Sequence, residues 1–204
     1  MAGNMGVVLA GGKSSRMGAS KAELPFMGEP LLRRVVNRLS EAVDDVVVIG
    51  PPTLQTLVPG VLVWSDVTSP VGPLGGLYTA LTMAPCERLF LVACDMPLLQ
   101  PGLVRAMLAV AEAHAASDAV MLQSHGRMEP LHAVYSRSCL AAVEEALACG
   151  QRAMHRLLER LSVVTMSQEI VVRADPRGVS ALNVNTPGDW RHALQLATEL
   201  NQGL

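Results

Sequence analysis

Aromatic side chains are scarce in this chain, 3% of 204 residues, and charged ones make up only 17%. Hydrophobic residues reach 50%, enough to bury a sizeable core and too many for a disordered tail. A basic excess is missing as well. The formal net charge of −2, with a pI near 6.2, removes the broad positive field that duplex nucleic acid demands, so nucleic acid is not an expected partner. Nor is there an unbroken apolar run that reads as a membrane span. Residues 46–65 carry no charge, but Pro51, Pro52 and Pro59, with Thr53, Gln55 and Thr56, would leave backbone groups unpaired in hydrocarbon. A strand, a loop and a second strand fit that stretch better. Met1 to Gly12 lacks a basic leader and its apolar run is too short for a signal peptide, so a cytoplasmic protein with no membrane contact is expected. No Cys-x-x-Cys pair occurs among Cys86, Cys94, Cys139 and Cys149, and His114, His125, His132, His155 and His192 show no ligand spacing. Neither zinc nor a disulfide framework is indicated. Buried thiols acting as small hydrophobes are the expectation for Cys94 and Cys139.

What is present is a repeated alternation of short apolar runs, turns and helical periodicity. Gly6 to Ala10, Val46 to Ile49, Val61 to Trp64 and Leu89 to Ala93 read as strands, with helices over Leu31 to Leu39, Gly75 to Met83 and Leu103 to Ala116. Leu31, Leu32, Val35, Val36 and Leu39 fall on one helical face behind Pro30. Gly11 to Gly28 reads as a long polar loop. Strands that are apolar throughout belong in a largely parallel sheet covered on both faces, which binds ligands at the carboxyl ends of its strands. The second half is less regular. Ala119 to Leu122, Leu131 to Tyr135, Val163 to Met166 and Ile170 to Val172 look like strands, and Leu140 to Ala148, Met154 to Leu161 and Asp189 to Leu200 like helices. No repeat or linker is visible, so one domain over 1–204 is expected, the second half, 101–204, extending the sheet begun in 1–100 and shaping the acceptor side of a site.

The loop after the first strand, Leu9-Ala-Gly-Gly-Lys-Ser-Ser-Arg-Met-Gly18, combines three glycines, two hydroxyls and two cations. Glycine lets backbone N–H groups approach an anion, and Lys13 and Arg16 add charge suited to a triphosphate. It is not a P-loop: the glycine required five residues before Gly12 is Val7, and Gly6 comes one residue too early. The Gly-x-Gly-x-x-Gly dinucleotide pattern is absent too. Lys21 stands where an ammonium could fold back over phosphates, although a lone lysine is more often a solvated charge. Asp66 follows a strand and on its own reads as a cap or turn residue, though a carboxylate there can also accept paired N–H donors or hydroxyls. Asp95 follows the strand Leu89 to Ala93, and several residues separate it from the next helix, so a cap role is unattractive there. An acid at that strand end suits a Mg²⁺ that bridges phosphates.

Taken together, Leu9-Ala-Gly-Gly-x-Ser-x-Arg-Met-Gly18, Lys21, Gly72-Pro-Leu-Gly-Gly76, Cys94-Asp-Met-Pro97 and Asn183-Val-Asn-Thr-Pro187 resemble the molybdenum cofactor guanylyltransferase family, from residue 6 to about 195. The resemblance implies an α/β fold, the three-layer Rossmann-like nucleotidyltransferase arrangement with a mainly parallel mixed sheet. It implies nucleotide contacts from Leu9, Ala10, Gly11, Gly12, Lys13, Ser14, Arg16, Lys21, Asp66, Gly75 and Asp95, with Asp95, Lys21 and Arg16 catalytic. It also implies Mg²⁺ on Asp95 and Asn185, and acceptor contacts from Pro130, His132 and Asn183. Asn185 to Asp189 also reads as a helix start, with Thr186 as cap and Pro187 in the first turn, and the two readings are compatible. The sequence departs from the family at Ile49-Gly-Pro-Pro52, which has no polar side chain for the base, and at Glu129.

The implied reaction transfers GMP from GTP to molybdopterin, or its molybdenum-bearing form, and releases pyrophosphate. Gly11 and Gly12 leave room for a purine where the cytidylyl branch reads Leu-Ala-Ala-Gly. A CTP-dependent or sugar-phosphate nucleotidyltransferase is the alternative within the enzyme class, and a non-catalytic GTP-binding module the one outside it. The implied partners are GTP, molybdopterin and, transiently, other cofactor-assembly proteins, for a monomer or weak homo-oligomer.

Overall fold

The computed structural model describes residues 3–11, 20–67, 72–124 and 126–202. In chain order its elements are β1 (Met5–Leu9), β2 (Pro25–Phe26), β3 (Glu29–Pro30), α1 (Leu31–Ser40), β4 (Asp45–Ile49), β5 (Leu62–Trp64), α2 (Pro73–Met83) and β6 (Arg88–Ala93). They continue with α3 (Pro101–Ala113), β7 (Ala119–Ser124), β8 (Arg127–Ser136), α4 (Leu140–Ala148), α5 (Met154–Leu158), β9 (Val163–Thr165), α6 (Gln168–Ala174) and α7 (Pro187–Asn201).

Seven strands form one sheet in the order β5-β4-β1-β6-β8-β7-β9. Neighbours run parallel except at β8, which is antiparallel to both β6 and β7. Alternate residues along each strand feed opposite faces. Val8, Val48, Phe90, Val92, Val120 and Val134 pack under α1 and α3. On the other face Val7, Val47, Leu91, Met121, Ala133 and Tyr135 pack under α2, α4 and α5. Both faces are covered, which is why the strands are apolar throughout. The expected three-layer, mainly parallel arrangement is therefore what the chain adopts. Helix α1 buries all of Leu31, Leu32, Val35, Val36 and Leu39, each contributing about 1.5–3 kcal/mol by leaving water.

Two features of α1 and α7 fix the segments around the sheet's carboxyl edge. From α1, Arg34 Nε donates to the Pro97 carbonyl at 3.4 Å and Arg38 Nε to that of Leu99 at 2.9 Å, fastening the stretch after β6. Helix α7 starts with a capping box between Thr186 and Asp189. It packs Ala193 and Ala197 with Val184, Leu98 and Phe26, and Trp190 meets the Phe26 ring edge-on at 5.4 Å. The β2–β3 ribbon that carries Phe26 turns through Met27 and Gly28, both in the left-handed region at φ 52° and 86°. That late helix therefore sits on the earliest loop and brings residues 183–185 across to Lys21.

Three local expectations are revised. Ile170 to Val172, a β-branched run read as a strand, lies in α6, because Ser167 caps the helix by accepting from the Ile170 amide. The polar loop Gly11 to Gly28 contains a 3₁₀ turn at Lys21–Glu23 and the strand β2. The helix placed over Met154 to Leu161 closes after Leu158.

Candidate functional site

Three parallel strands end side by side. Ala10 N donates to Ile49 O at 2.8 Å and Cys94 N to Leu9 O at 3.0 Å, which prolongs β1 and β6 by one residue each. Gly11 and Asp95 then emerge together at the carboxyl edge of the sheet. Over them opens a cavity of about 430 Å³, large enough for much of a nucleotide. One wall is small and apolar: Leu9, Ala10, Gly11, Ile49, Pro73 and Gly76. The cavity's polar lining includes Lys21, Asp95, Asn183 and Asn185.

The polar lining is a connected constellation. Lys21 Nζ lies 3.0 Å from Asp95 Oδ2 and 2.6 Å from Asn185 Oδ1. The ammonium thus bridges two oxygens supplied from distant segments, the end of β6 and the turn before α7. Asp95 is held from behind, since its carbonyl accepts from Val184 N at 2.9 Å. It caps no helix, because the cap position of α3 is Gln100. Its second carboxylate oxygen, Oδ1, is shut from solvent and has no hydrogen-bond partner among the described residues. A buried carboxylate oxygen left unbonded is costly, so it marks a place for a cation. Asn185 is fixed through its backbone, whose N–H donates to Asp189 Oδ2 at 2.9 Å. The amides of Asn185 and then Thr186 hold the Asp189 carboxyl below its usual range. The cap and the site therefore use the same turn. Among the described residues no three His, Cys, Asp or Glu side chains come together as a metal cluster. A hard cation here would have one carboxylate, one carboxamide and oxygens of its substrate, the pattern expected for Mg²⁺ on phosphates.

Asp66 lines the same cavity. A Cβ built on Gly11 would lie 3.8 Å from Asp66 Oδ2, an ordinary van der Waals contact, so among the described residues Asp66 is the side chain next to Gly11. Partial burial raises the Asp66 carboxyl above its ordinary value, opposed by a weak contact from Thr79. It does not cap α2, whose cap position is Gly72.

Gly12, Lys13, Ser14 and Arg16 lie outside the described residues. Three other expected residues are off the cavity wall. Gly75 is buried and does not line the cavity: its amide donates to Gly72 O and its carbonyl accepts from Thr79 Oγ1. The neighbouring Gly76 faces the cavity instead. His132 is corrected as an acceptor contact, because it is completely buried, edge-on to Phe90 at 5.1 Å, with Nε2 2.7 Å from Ser180 Oγ. Burial holds its imidazole neutral, with a pKa lowered to about 4. Pro130 is off the cavity wall too, its carbonyl accepting from the Tyr135 hydroxyl at 2.8 Å. Leu131, between them, forms the wall, and Asn183 alone of the three expected acceptor residues does so. The reading missed Leu131 because alternation along β8 turns neighbours to opposite sides, and nothing marked which set faced the cavity. Cys94 lines the cavity, but burial and the adjacent Asp95 push its thiol up to about 12, so it is inert as expected. All four cysteines are free.

Residues 6–187 match the MobA-like NTP transferase domain. A probable molybdenum cofactor guanylyltransferase of Pelotomaculum thermopropionicum is 35% identical, over 97% of this chain and 95% of that protein. The molybdenum cofactor guanylyltransferase of Desulfosudis oleivorans is 33% identical, over 92% and 93%. Among solved structures, molybdopterin-guanine dinucleotide biosynthesis protein A of Archaeoglobus fulgidus superposes with a TM-score of 0.84 at 27% identity, covering 96% of this chain and 99% of that one. A strand-end carboxylate, a bridging lysine and a glycine-walled cavity thus occur in a chain that belongs to the MobA-like NTP transferase family, and the protein is a nucleotidyltransferase.

Proposed function

We propose that the protein transfers GMP from GTP to molybdopterin, with or without molybdenum, and releases pyrophosphate. The names of its relatives and structural neighbour support this reading. The single observation that carries it is the Lys21–Asp95–Asn185 constellation, with its unbonded Asp95 Oδ1, beside a wall of glycine and aliphatic residues.

In the proposed reaction a terminal phosphate oxygen of the pterin attacks the α-phosphorus of GTP. A P–O bond forms to the acceptor while the bond to the β,γ-diphosphate breaks, and pyrophosphate leaves with the electron pair. The nucleophile is already an anion, so no strong base is needed. This matches a site whose buried histidine is neutral and points away. The protein's work is positioning and charge neutralisation. The residues present fit Mg²⁺, with Asp95 and Asn185 as its protein oxygens; when bound it would neutralise phosphate charge. Lys21 would shift from these oxygens to the triphosphate, joined by Lys13 and Arg16 from the loop after β1. Gly11, Gly76 and Leu9 would flank the base, and Asp66 would accept from guanine N–H groups or ribose hydroxyls. Asn183 would face the pterin phosphate. The same reading carries a cytoplasmic location, where the proposed substrates GTP and molybdopterin would be met; among the described residues no helix is long and apolar enough to cross a membrane.

Pyrophosphate release with Mg²⁺ and freshly released molybdopterin, from GTP and in parallel from CTP, tests it. Release from GTP alone is expected. Release from CTP alone would keep the chemistry and overturn the base. Release from neither, with GTP still bound tightly, would point to a binding module.

A further inference from the structure

We infer that Ser180 is a positioning residue: its hydroxyl, held by His132, sets the spacing between the Asp95 carboxylate and the segment that carries Asn183 and Asn185. The inference rests on the proposed roles of Asp95 and Asn185.

Ser180 and His132 are both fully buried, and neither touches the cavity. Ser180 Oγ accepts from Gln100 N at 2.9 Å and lies 2.7 Å from His132 Nε2. Its own amide donates to Asp175 Oδ2 at 2.8 Å, and Asp175 is 5% exposed. One side chain therefore joins three segments. Gln100 ends the stretch that begins at Asp95. His132 sits on β8 opposite Val92, just before the end of β6. Asn183 follows Ser180 by one turn of chain. A second link, Val184 N to Asp95 O, closes the loop between the same two segments. With both links made, the segment of Asn183 and Asn185 is tied at two points to the segment that carries Asp95.

The chemistry of the pair shows why these are polar residues in an apolar layer. Since Ser180 Oγ already accepts from Gln100, its proton is free to be donated to His132 Nε2, which burial keeps unprotonated. Both capacities of the hydroxyl are then used. The remaining ring nitrogen, His132 Nδ1, is buried without a partner among the described residues. An apolar ring would avoid that cost. What histidine adds is the one directional bond to Ser180, and directional bonds in a dry layer fix geometry more tightly than packing does.

The test uses the whole protein with Mn²⁺ as probe, titrated without nucleotide and followed by the paramagnetic signal of the free ion, beside kcat, KM for GTP and the thermal midpoint. Ser180→Ala and His132→Phe should each weaken Mn²⁺ binding about tenfold, as loss of groups that orient metal ligands does. Both should lower kcat more than they raise KM. His132→Gln, whose carboxamide nitrogen or oxygen reaches the place of Nε2, should restore Mn²⁺ binding. Unchanged Mn²⁺ affinity and kcat with only a lower midpoint would overturn the inference. If Ser180→Ala does not fold, His132→Phe, which keeps a ring against Phe90, decides alone. Asp95→Asn separates the two levels: if it abolishes Mn²⁺ binding and Ser180→Ala does not weaken it, the inference alone fails. If Asp95→Asn leaves Mn²⁺ binding intact, the metal reading itself fails.

Discussion

Replacing Gly76 by alanine separates the fold from the site, because the three nearest atoms to the added methyl all belong to one flexible side chain, Leu9. An ideal Cβ there lies 2.8 Å from Leu9 Cδ2 and 3.2 Å from Cδ1. Carbon atoms rest about 3.5–4.0 Å apart, so the Leu9 methyls must retreat by roughly 0.7 Å or more. Leu9 is half-buried at the cavity wall, and its flexible end moves without shifting backbone. Two opposing effects then nearly cancel in stability. Alanine gains up to about 1 kcal/mol over glycine in a helix, and an off-rotamer leucine loses about 0.5–1.5 kcal/mol. The expected change in unfolding free energy is within about 1 kcal/mol of zero. The cavity does not share in that cancellation, because the displaced methyls enter the space proposed for guanine. A misplaced methylene in a binding pocket is worth about 1–3 kcal/mol, so GTP should bind about tenfold more weakly. Urea unfolding and calorimetric GTP titration read the two quantities. Unchanged GTP affinity in a protein of unchanged stability would refute the placement of Leu9 and Gly76 beside the nucleotide.

Gly6→Ala should behave in the opposite way. Its Cβ would lie 2.5 Å from Leu39 Cδ2 and 2.7 Å from Cγ, and Leu39 is fully buried with nowhere to go. A loss of about 1–3 kcal/mol is expected from overpacking, seen as a lower urea midpoint with GTP binding retained. Acid should destabilise the protein through His132. Its folded pKa, about 4, lies below the unfolded value of 6.5, so the unfolded chain binds the extra proton between them. That contribution is intact above pH 6.5 and is lost as pH falls toward 4, by an amount on the order of 3 kcal/mol. The slope of urea stability against pH in this window should flatten in His132→Gln. Lys21→Met should weaken GTP binding about tenfold or more and also lower the urea midpoint, because Lys21 bonds both Asp95 and Asn185. The Asp95 carboxylate keeps only 18% of its side-chain surface in solvent, so loss of its cation should cost about 1–3 kcal/mol wherever water does not replace the ammonium.

Much of the fold was legible because both-face burial leaves an unmistakable pattern. Val46 to Ile49 and Leu89 to Ala93 read as strands of a covered sheet and Leu31 to Leu39 as a one-faced helix, and the structure has β4, β6 and α1 there. Ile170 to Val172 misled because three β-branched residues favour extended chain, while the deciding signal was a single capping serine at 167. Within the site, Lys21, Asp95 and Asn185 were legible from motifs, and the structure joins them by direct contact. The errors were of direction. Gly75 and Gly76 are neighbours on a helix, and which one faces the cavity depends on the rotation of α2 against Leu9. His132 and Leu131 are neighbours on a strand, and which one faces the cavity depends on register with β6. Ser180 left no mark in the sequence, because a lone serine in a loop acquires meaning only when a buried partner is placed beside it.

Label transfer from GTP bearing ³²P at the α position tests the central claim most directly, with molybdopterin and Mg²⁺ present and the pterin product isolated. The wild-type protein should move the label to the pterin, and a folded Asp95→Asn variant should leave it on GTP. Transfer by Asp95→Asn at the wild-type rate, or label remaining on GTP with the wild type, would contradict the account.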